Sequence, residues 1–315
     1  MGIDDERGVS RVAFGERAWR SDATTSREDL EADPPAAPRH PSAFRYRRAP
    51  LALPVETLTA KGAPTGWVEF HETFTVCLVD SSVPVWYRVG SRRYERSPEV
   101  GMLLGPGELH ADRMRPGTAD YRVLRFDLAA VHAAARRVGA EPEALSIVEH
   151  ELRSPAANEL FLSLHRALDS GINSSHVAAL MDHCLSEILR HCTTAPGRSH
   201  GRKEIRAAHD YIVAHLSDRT SLEALSAAAG MRKWAFIGAF RRHVGVPPLR
   251  YAIQVRLARA RALLASGRPC NDVAAELGFF DQSHLNRWFR RTYGVAPGEY
   301  QRALLDPKRD RNDRK

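Results

Sequence analysis

The sequence predicts a two-domain α+β protein: a β-barrel followed by helices, then an all-α domain made of two helix-turn-helix units. Three observations carry this. Short apolar runs separated by turn residues about every 8–12 positions fill residues 46–127. Beyond Leu128 the apolar residues recur at helical spacing instead. One motif, F-R-R-x-x-G-V-x-P-x-x-Y, is written twice, as FRRHVGVPPLRY from Phe240 and as FRRTYGVAPGEY from Phe289, 49 residues apart with seven positions matching.

The 315 residues suffice for about two domains, and 43% hydrophobic with 27% charged residues is the balance of a globular chain. No apolar run reaches the roughly 18 residues that would mark a membrane span. The N-terminal stretch MGIDDERGVSRVAFGERAWR has neither an apolar core nor a cleavage signature, and Gly2 lacks the downstream Ser or Thr of a myristoylation site. A cytoplasmic protein is expected. Cys77, Cys184, Cys192 and Cys270 form no CxxC pair, which favours reduced packing thiols over zinc ligands. The net charge of +8 is unevenly placed. From His200 onward 22 Lys and Arg face 11 Asp and Glu, a surplus of 11, so the first 199 residues carry −3. A polyanion partner is expected for the C-terminal third alone.

In chain order, residues 1–45 are polar and proline-rich, as in EADPPAAPRHPS, and predict a disordered leader. Residues 46–150 hold the barrel, with strands expected at FTVCLVD (74–80), VPVWYRV (83–89), RRYERS (92–97), EVGMLL (99–104) and ADYRVLRFDL (119–128). Helices are expected at 128–139, 156–171 and 175–192. Residues 151–195 form a helical linker whose apolar stripe, with Val177, Leu180, Met181, Cys184, Ile188 and Leu189, packs on its own domain or forms a dimer seam. TTAPGRSHGRK (193–203) reads as a linker, residues 200–305 as the tandem helical domain, and 306–315 as a basic tail.

Within that domain, helices are expected near 203–216, 221–229, 232–244, 248–266, 270–277, 281–293 and 297–305. Ser221 and Asp281 can cap helix N-termini, Gly230 and Gly278 suit tight positive-φ corners, and Pro248 and Pro297 stand in first turns. SLEALSAAAGM (221–231) matches PCNDVAAELGF (269–279), and the second copy then carries one extra residue in its turn. Each copy is a short helix, a glycine turn and a longer basic helix, an arrangement that places its second helix in a major groove. Phe236 and Phe240, or Leu285 and Phe289, would face inward; Arg241, Arg242, Arg290 and Arg291 suit phosphates. The connector LRYAIQVRLARARALLASG (249–267) would be a helix about 27 Å long, against about 34 Å for one turn of DNA.

This arrangement resembles the AraC/XylS family of transcription regulators, and ELGFFDQSHLNRWFRRTYGVAPGEYQR (276–302) is similar to that family's signature over nearly its full length. The resemblance implies sequence-specific binding of double-stranded promoter DNA, RNA polymerase as a partner, a homodimer and, in the commoner mode, activation. It implies base contacts from Gln282, Ser283, Asn286 and Arg287 in the second unit, and from Lys233, Trp234 and Ile237 in the first. Gly238 stands where the family often has Arg, so the first unit departs from the pattern.

Residues 71–110 resemble the cupin-like sensor barrel that often precedes this domain, with His71, the Gly90 hairpin and PGELH (106–110) as anchors. A small effector is implied, and His71, Arg88 and His110 are its candidate contacts. An inward Arg among Arg88, Arg92 and Arg93 would favour a carboxylate, although most of that run is expected to face outward. A cupin-type metalloenzyme with a DNA-binding tail is the alternative. Only His71, Glu72 and His110 would serve it as ligands, and Thr73 takes the place of the second His of a His-x-His pair. No catalytic residue, metal site or cofactor is expected. A non-specific DNA packaging protein is a third reading, opposed by the polar base-readers.

Overall fold

The computed structural model describes residues 44–48, 54–64, 68–80, 85–90, 92–96, 100–113, 118–142, 145–170, 175–193, 203–218 and 220–305. All belong to one unit of the chain. Most of the expected leader, the expected tail 306–315 and most of the 193–203 linker lie outside the described residues.

The barrel consists of two facing antiparallel sheets. One has the order β1 (Phe44–Arg48), β2 (Val55–Pro64), β9 (Thr118–Phe126), β4 (Phe74–Asp80), β7 (Gly101–Leu104), β11 (Glu151–Leu152). The other has the order β3 (Val68–Phe70), β8 (Leu109–Arg113), β5 (Val85–Val89), β6 (Arg92–Arg96). A short pair, β10 (Ser146–Ile147) with β12 (Cys192–Thr193), lies apart. The large sheet is buried on both faces, and the period-2 alternation of its central strands says why. On β4, Phe74, Val76 and Leu78 join one core, whereas Cys77 and Val79 join another.

The first of those cores lies under α1 (Leu128–Arg137), α2 (Pro155–Ser170) and α3 (Ser175–Arg190). Val177, Met181, Cys184 and Ile188 are buried in it. The apolar stripe of α3 therefore packs within its own chain. Three expectations need correction. Phe44 and Arg45 belong to a strand, not to a leader. Cys192 lies in β12 beyond the end of α3. The linker begins with a strand, since β11 pairs with β7 before any helix starts.

The helical domain runs α4 (Lys203–Ala214), α5 (Leu222–Ala228), α6 (Lys233–Val244), α7 (Pro248–Ala265), α8 (Cys270–Glu276), α9 (Gln282–Tyr293) and α10 (Pro297–Leu305). Local chemistry sets its boundaries. Ser221 accepts from the Ala224 amide at 3.1 Å and Asp281 from the His284 amide at 2.6 Å, each satisfying an orphan donor of a helix start. Gly230 and Gly278 turn the chain at φ +63° and +65°, where a side chain would be strained. Helix α6 starts three residues after Gly230 and α9 four after Gly278, which is the extra residue of the second copy. Both basic helices end at a left-handed glycine, Gly245 and Gly294.

Each helix-turn-helix unit shares a core with the barrel. Phe70 and Leu109 pack with Leu225, Phe236, Phe240 and Tyr251 of the first unit. Tyr46, Leu58 and Tyr121 share a core with Leu285, Phe289 and Tyr300 of the second.

Candidate functional site

Two features carry chemistry: the outer faces of α6 and α9, and a cavity inside the barrel. On α9, Leu285 and Phe289 are fully buried, which turns the opposite face outward. Gln282, Ser283, Asn286 and Arg287 are exposed there, within two turns of the helix start. Their types match base edges: Arg pairs bidentately with guanine, and Gln or Asn with adenine. Arg290 is exposed one turn on and lies 3.7 Å from Glu299, a pair too solvated to hold it strongly. Arg291 is half-buried.

Helix α6 presents a different face. Trp234 is 73% exposed at its first turn, and Lys233 is paired with Glu223 of α5. Arg242 is exposed and Arg241 half-buried. Ile237 departs from the expectation of an outward base contact. It is buried beside Phe236 and Phe240 in the core of the first unit, because its position in the turn faces α5 and α7 rather than solvent. The helix continues unbroken through Gly238. One exposed aromatic escaped the sequence reading: Phe280, 92% exposed in the second turn, next to the Asp281 cap. Its signal was the extra turn residue, which leaves one large apolar side chain with no place in either helix.

The cavity is partly open to solvent. Aromatic and aliphatic residues line most of it, among them Phe44, Tyr46, Leu58, Leu104, Tyr121 and Val123. Its polar end holds His71, Thr75 and His110. His71 Nε2 lies 2.8 Å from His110 Nδ1, and His71 Nδ1 lies 3.1 Å from Thr75 Oγ1. Burial holds the His71 imidazole well below its ordinary pKa, against the pull of Glu69, so it stays neutral at pH 7. Thr292 of α9 also lines the cavity, so one wall comes from the helical domain.

Arg88 is not part of this lining, contrary to expectation. Alternation along β5 turns Tyr87 and Val89 inward and leaves Arg88 pointing away. Its Nη2 donates to the carbonyl of Arg241, in the last turn of α6, at 3.3 Å. Arg92 and Arg93 are exposed.

The buried charges at the cavity were not foreseen. Arg125 projects from β9 on the same side as Tyr121 and Val123, a register visible in ADYRVLRFDL. It donates to Glu56 at 3.0 Å and to Glu69 at 2.9 Å. Arg261 of α7 donates to the same Glu69 oxygen at 3.0 Å. Burial is the largest single influence and pushes the Glu69 carboxyl up, but its neighbours together, Arg125 foremost, outweigh it and bring the group to about 2. Tyr300 of α10 closes the network by donating to Glu56 at 2.6 Å.

These residues do not suit a metal. The two imidazoles are hydrogen-bonded to each other instead of converging on a shared ion. Among the described residues no cluster of three His, Cys, Asp or Glu side chains is placed to hold one. No helix among those residues is long and apolar enough to cross a membrane.

Comparison with known proteins gives two family matches. An AraC-like ligand binding domain covers residues 68–187, and a helix-turn-helix domain covers residues 225–303. The probable transcriptional regulator LumQ of Photobacterium leiognathi is 36% identical over 93 residues, 29% of this chain and 38% of LumQ. The chain thus spans well under half of that relative's length. The uncharacterized HTH-type transcriptional regulator YbfI of Bacillus subtilis (strain 168) is 22% identical over 220 residues, 69% of this chain and 80% of YbfI. Among solved structures, ToxT from Vibrio cholerae O395 aligns over 80% of this chain and 99% of its own at 12% identity, with a TM-score of 0.47.

Proposed function

The chain belongs to the AraC/XylS family of transcriptional regulators, and from that premise we propose that it reads promoter DNA with α6 and α9 while its barrel holds a small effector. The observation that carries the proposal is the face of α9: four polar side chains able to read bases, exposed together, backed by a fully buried Leu285 and Phe289. With 18 residues, α7 spans about 27 Å against about 34 Å for one turn of DNA, a length that supports the reading of successive major-groove segments on one side of a duplex. The first unit contributes Trp234 and Lys233 rather than a row of polar readers, which suits contact with backbone and thymine methyl groups.

The cavity supports the effector. Its apolar lining suits an aromatic or aliphatic body, and His71, His110 and Thr75 offer one hydrogen-bonding end. Glu69 and Arg125 already neutralise each other, which favours an uncharged ligand over the carboxylate that an inward Arg88 would have suggested. A ligand there would touch α9 through Thr292. The protein acts without enzymatic activity, in the cytoplasm, as a homodimer that recruits RNA polymerase to an activated promoter. These last features follow the commoner mode of the family.

Selection of duplexes by the full-length protein from a random pool, followed by footprinting, tests the reading. Protection of a defined site spanning about two helical turns per monomer is expected. Protection of one short half-site would make the first unit a scaffold, and no sequence preference would overturn the proposal.

A further inference from the structure

The repeated glycine of the F-R-R-x-x-G-V motif does more than end a helix. At both copies a barrel side chain occupies the space that a Cβ would need. At Gly245 (φ +97°) that neighbour is the Arg88 guanidinium from β5, which also donates to Arg241 O at 3.3 Å. At Gly294 (φ +76°) it is the Phe44 ring from β1, and beside it Tyr46 Oη donates to Tyr293 O at 2.7 Å. The corner glycines Gly230 and Gly278 make no such contact with the barrel: nothing approaches a Cβ at Gly230, and at Gly278 the neighbours are backbone atoms of Leu216 and Ser217.

The barrel therefore grips the two recognition helices at the same place in each repeat, at their C-terminal ends. The reading residues lie at the N-terminal ends, so this grip leaves them uncovered: Trp234 is 73% exposed, and Gln282, Ser283, Asn286 and Arg287 are exposed. The two seats differ in chemistry, a cation on one helix end and an aromatic pair on the other, so the units cannot exchange places. They also sit on different sheets, β5 in the small one and β1 in the large one. Helix α7 already packs into both units, through Tyr251 and Val255 in the core of the first and Leu257 and Leu264 in that of the second, and the barrel seats add a second brace at the far end of each recognition helix.

We propose that the barrel is a template that fixes the relative pose of the two recognition helices through Arg88 on Gly245 and Phe44 with Tyr46 on Gly294, and so fixes the half-site spacing this protein accepts. Arg88 and Phe44 are positioning residues that never meet DNA. The proposal rests on the reading that both units bind DNA.

The test uses the full-length protein, its Arg88→Ala and Phe44→Ala variants and the double variant, on duplexes carrying both selected half-sites with the intervening spacer lengthened or shortened by single base pairs. The wild type should favour one spacing. Each variant should reduce that preference, and the double variant should reduce it by about tenfold, the scale of one misplaced base contact. Arg88→Ala, which lies outside the cavity that Phe44 lines, should leave affinity for an isolated half-site unchanged. Arg88→Gln, which keeps a donor for Arg241 O, should lie between wild type and Arg88→Ala and guards against a loss of folding. Variants that keep the wild-type spacing preference would overturn the template. So would affinity that rises equally at every spacing, because the barrel would then be a brake. A wild type that protects one half-site only would instead sink the two-unit reading on which the template depends, an outcome distinguishable in the same footprint.

Discussion

Arg287 stands exposed on α9, one turn beyond Ser283, with the buried Leu285 fixing the face it projects from. A guanidinium at that point can take guanine O6 and N7 together, a contact worth about 1–3 kcal/mol of discrimination. Arg287→Ala is expected to lose that amount on the selected site and to tolerate any base at one position, read by competition binding against single-base variants of the site. Unchanged selectivity would remove Arg287 from the reading face. This residue was legible because a helix of known start and inner face leaves little freedom for the rest. Ile237 was not, since a first-unit alignment gives a position but not its burial. Arg88 was misplaced for a related reason: alternation divides a strand into two faces without saying that the outward one meets another domain. Arg125 and Glu69 are charges inside a core, and their partners are 69 and 56 residues from Arg125, or 192 in the case of Arg261 and Glu69. Nothing local announces such pairs.

At the scale of elements, helices were read closely and strands unevenly. The helices carry their own punctuation, such as Ser221, Asp281, Gly245, Gly294, Pro248 and Pro297, and that chemistry acts within a few residues. The missed strands lack it. VETLTAKGAP contains Lys61 and Gly62, and its pairing with β9 shifts register between Ala60 and Ala63, which breaks the alternation. FRYRR is mostly cationic and straddles the expected end of the leader at residue 45, yet it is one strand that supplies both Phe44 and Tyr46. The cap at Asp281 has a measurable consequence. Its carboxylate holds the His284 amide at the first turn of the reading helix. Asp281→Ala should cost about 1 kcal/mol of stability, and hydrogen exchange should quicken first at the amides following Gln282, where the base-reading side chains sit. Exchange rates unchanged there, with the full stability loss elsewhere, would contradict this role for the cap.

At the scale of the whole molecule, one carboxylate joins the barrel to the helical domain. Glu69 on β3 accepts from Arg125 on β9 and from Arg261 on α7 through the same oxygen. Its carboxyl is held at about 2 against an ordinary 4.5. A depressed acid contributes stability that is fully present above its unfolded pKa and is lost as pH falls toward its folded one. The affected window therefore runs from about 4.5 down to about 2. Other carboxyls titrate in the same range, so the informative quantity is a difference between two proteins. Glu69→Gln keeps the shape and an acceptor but removes the charge. At neutral pH it should be less stable than wild type by about 3 kcal/mol, the lower end of the cost of breaking a buried ion pair, because two buried guanidinium groups lose half of their compensation. As pH falls through the window, wild type gains the proton that makes it resemble the variant, and the two thermal midpoints should converge. The variant should also separate its unfolding into two transitions at neutral pH, since the interface it weakens is the one that makes both domains melt together. Parallel curves between pH 5 and 3 would mean that the Glu69 charge contributes nothing to the joint, leaving the shared apolar cores to hold barrel and helical domain together.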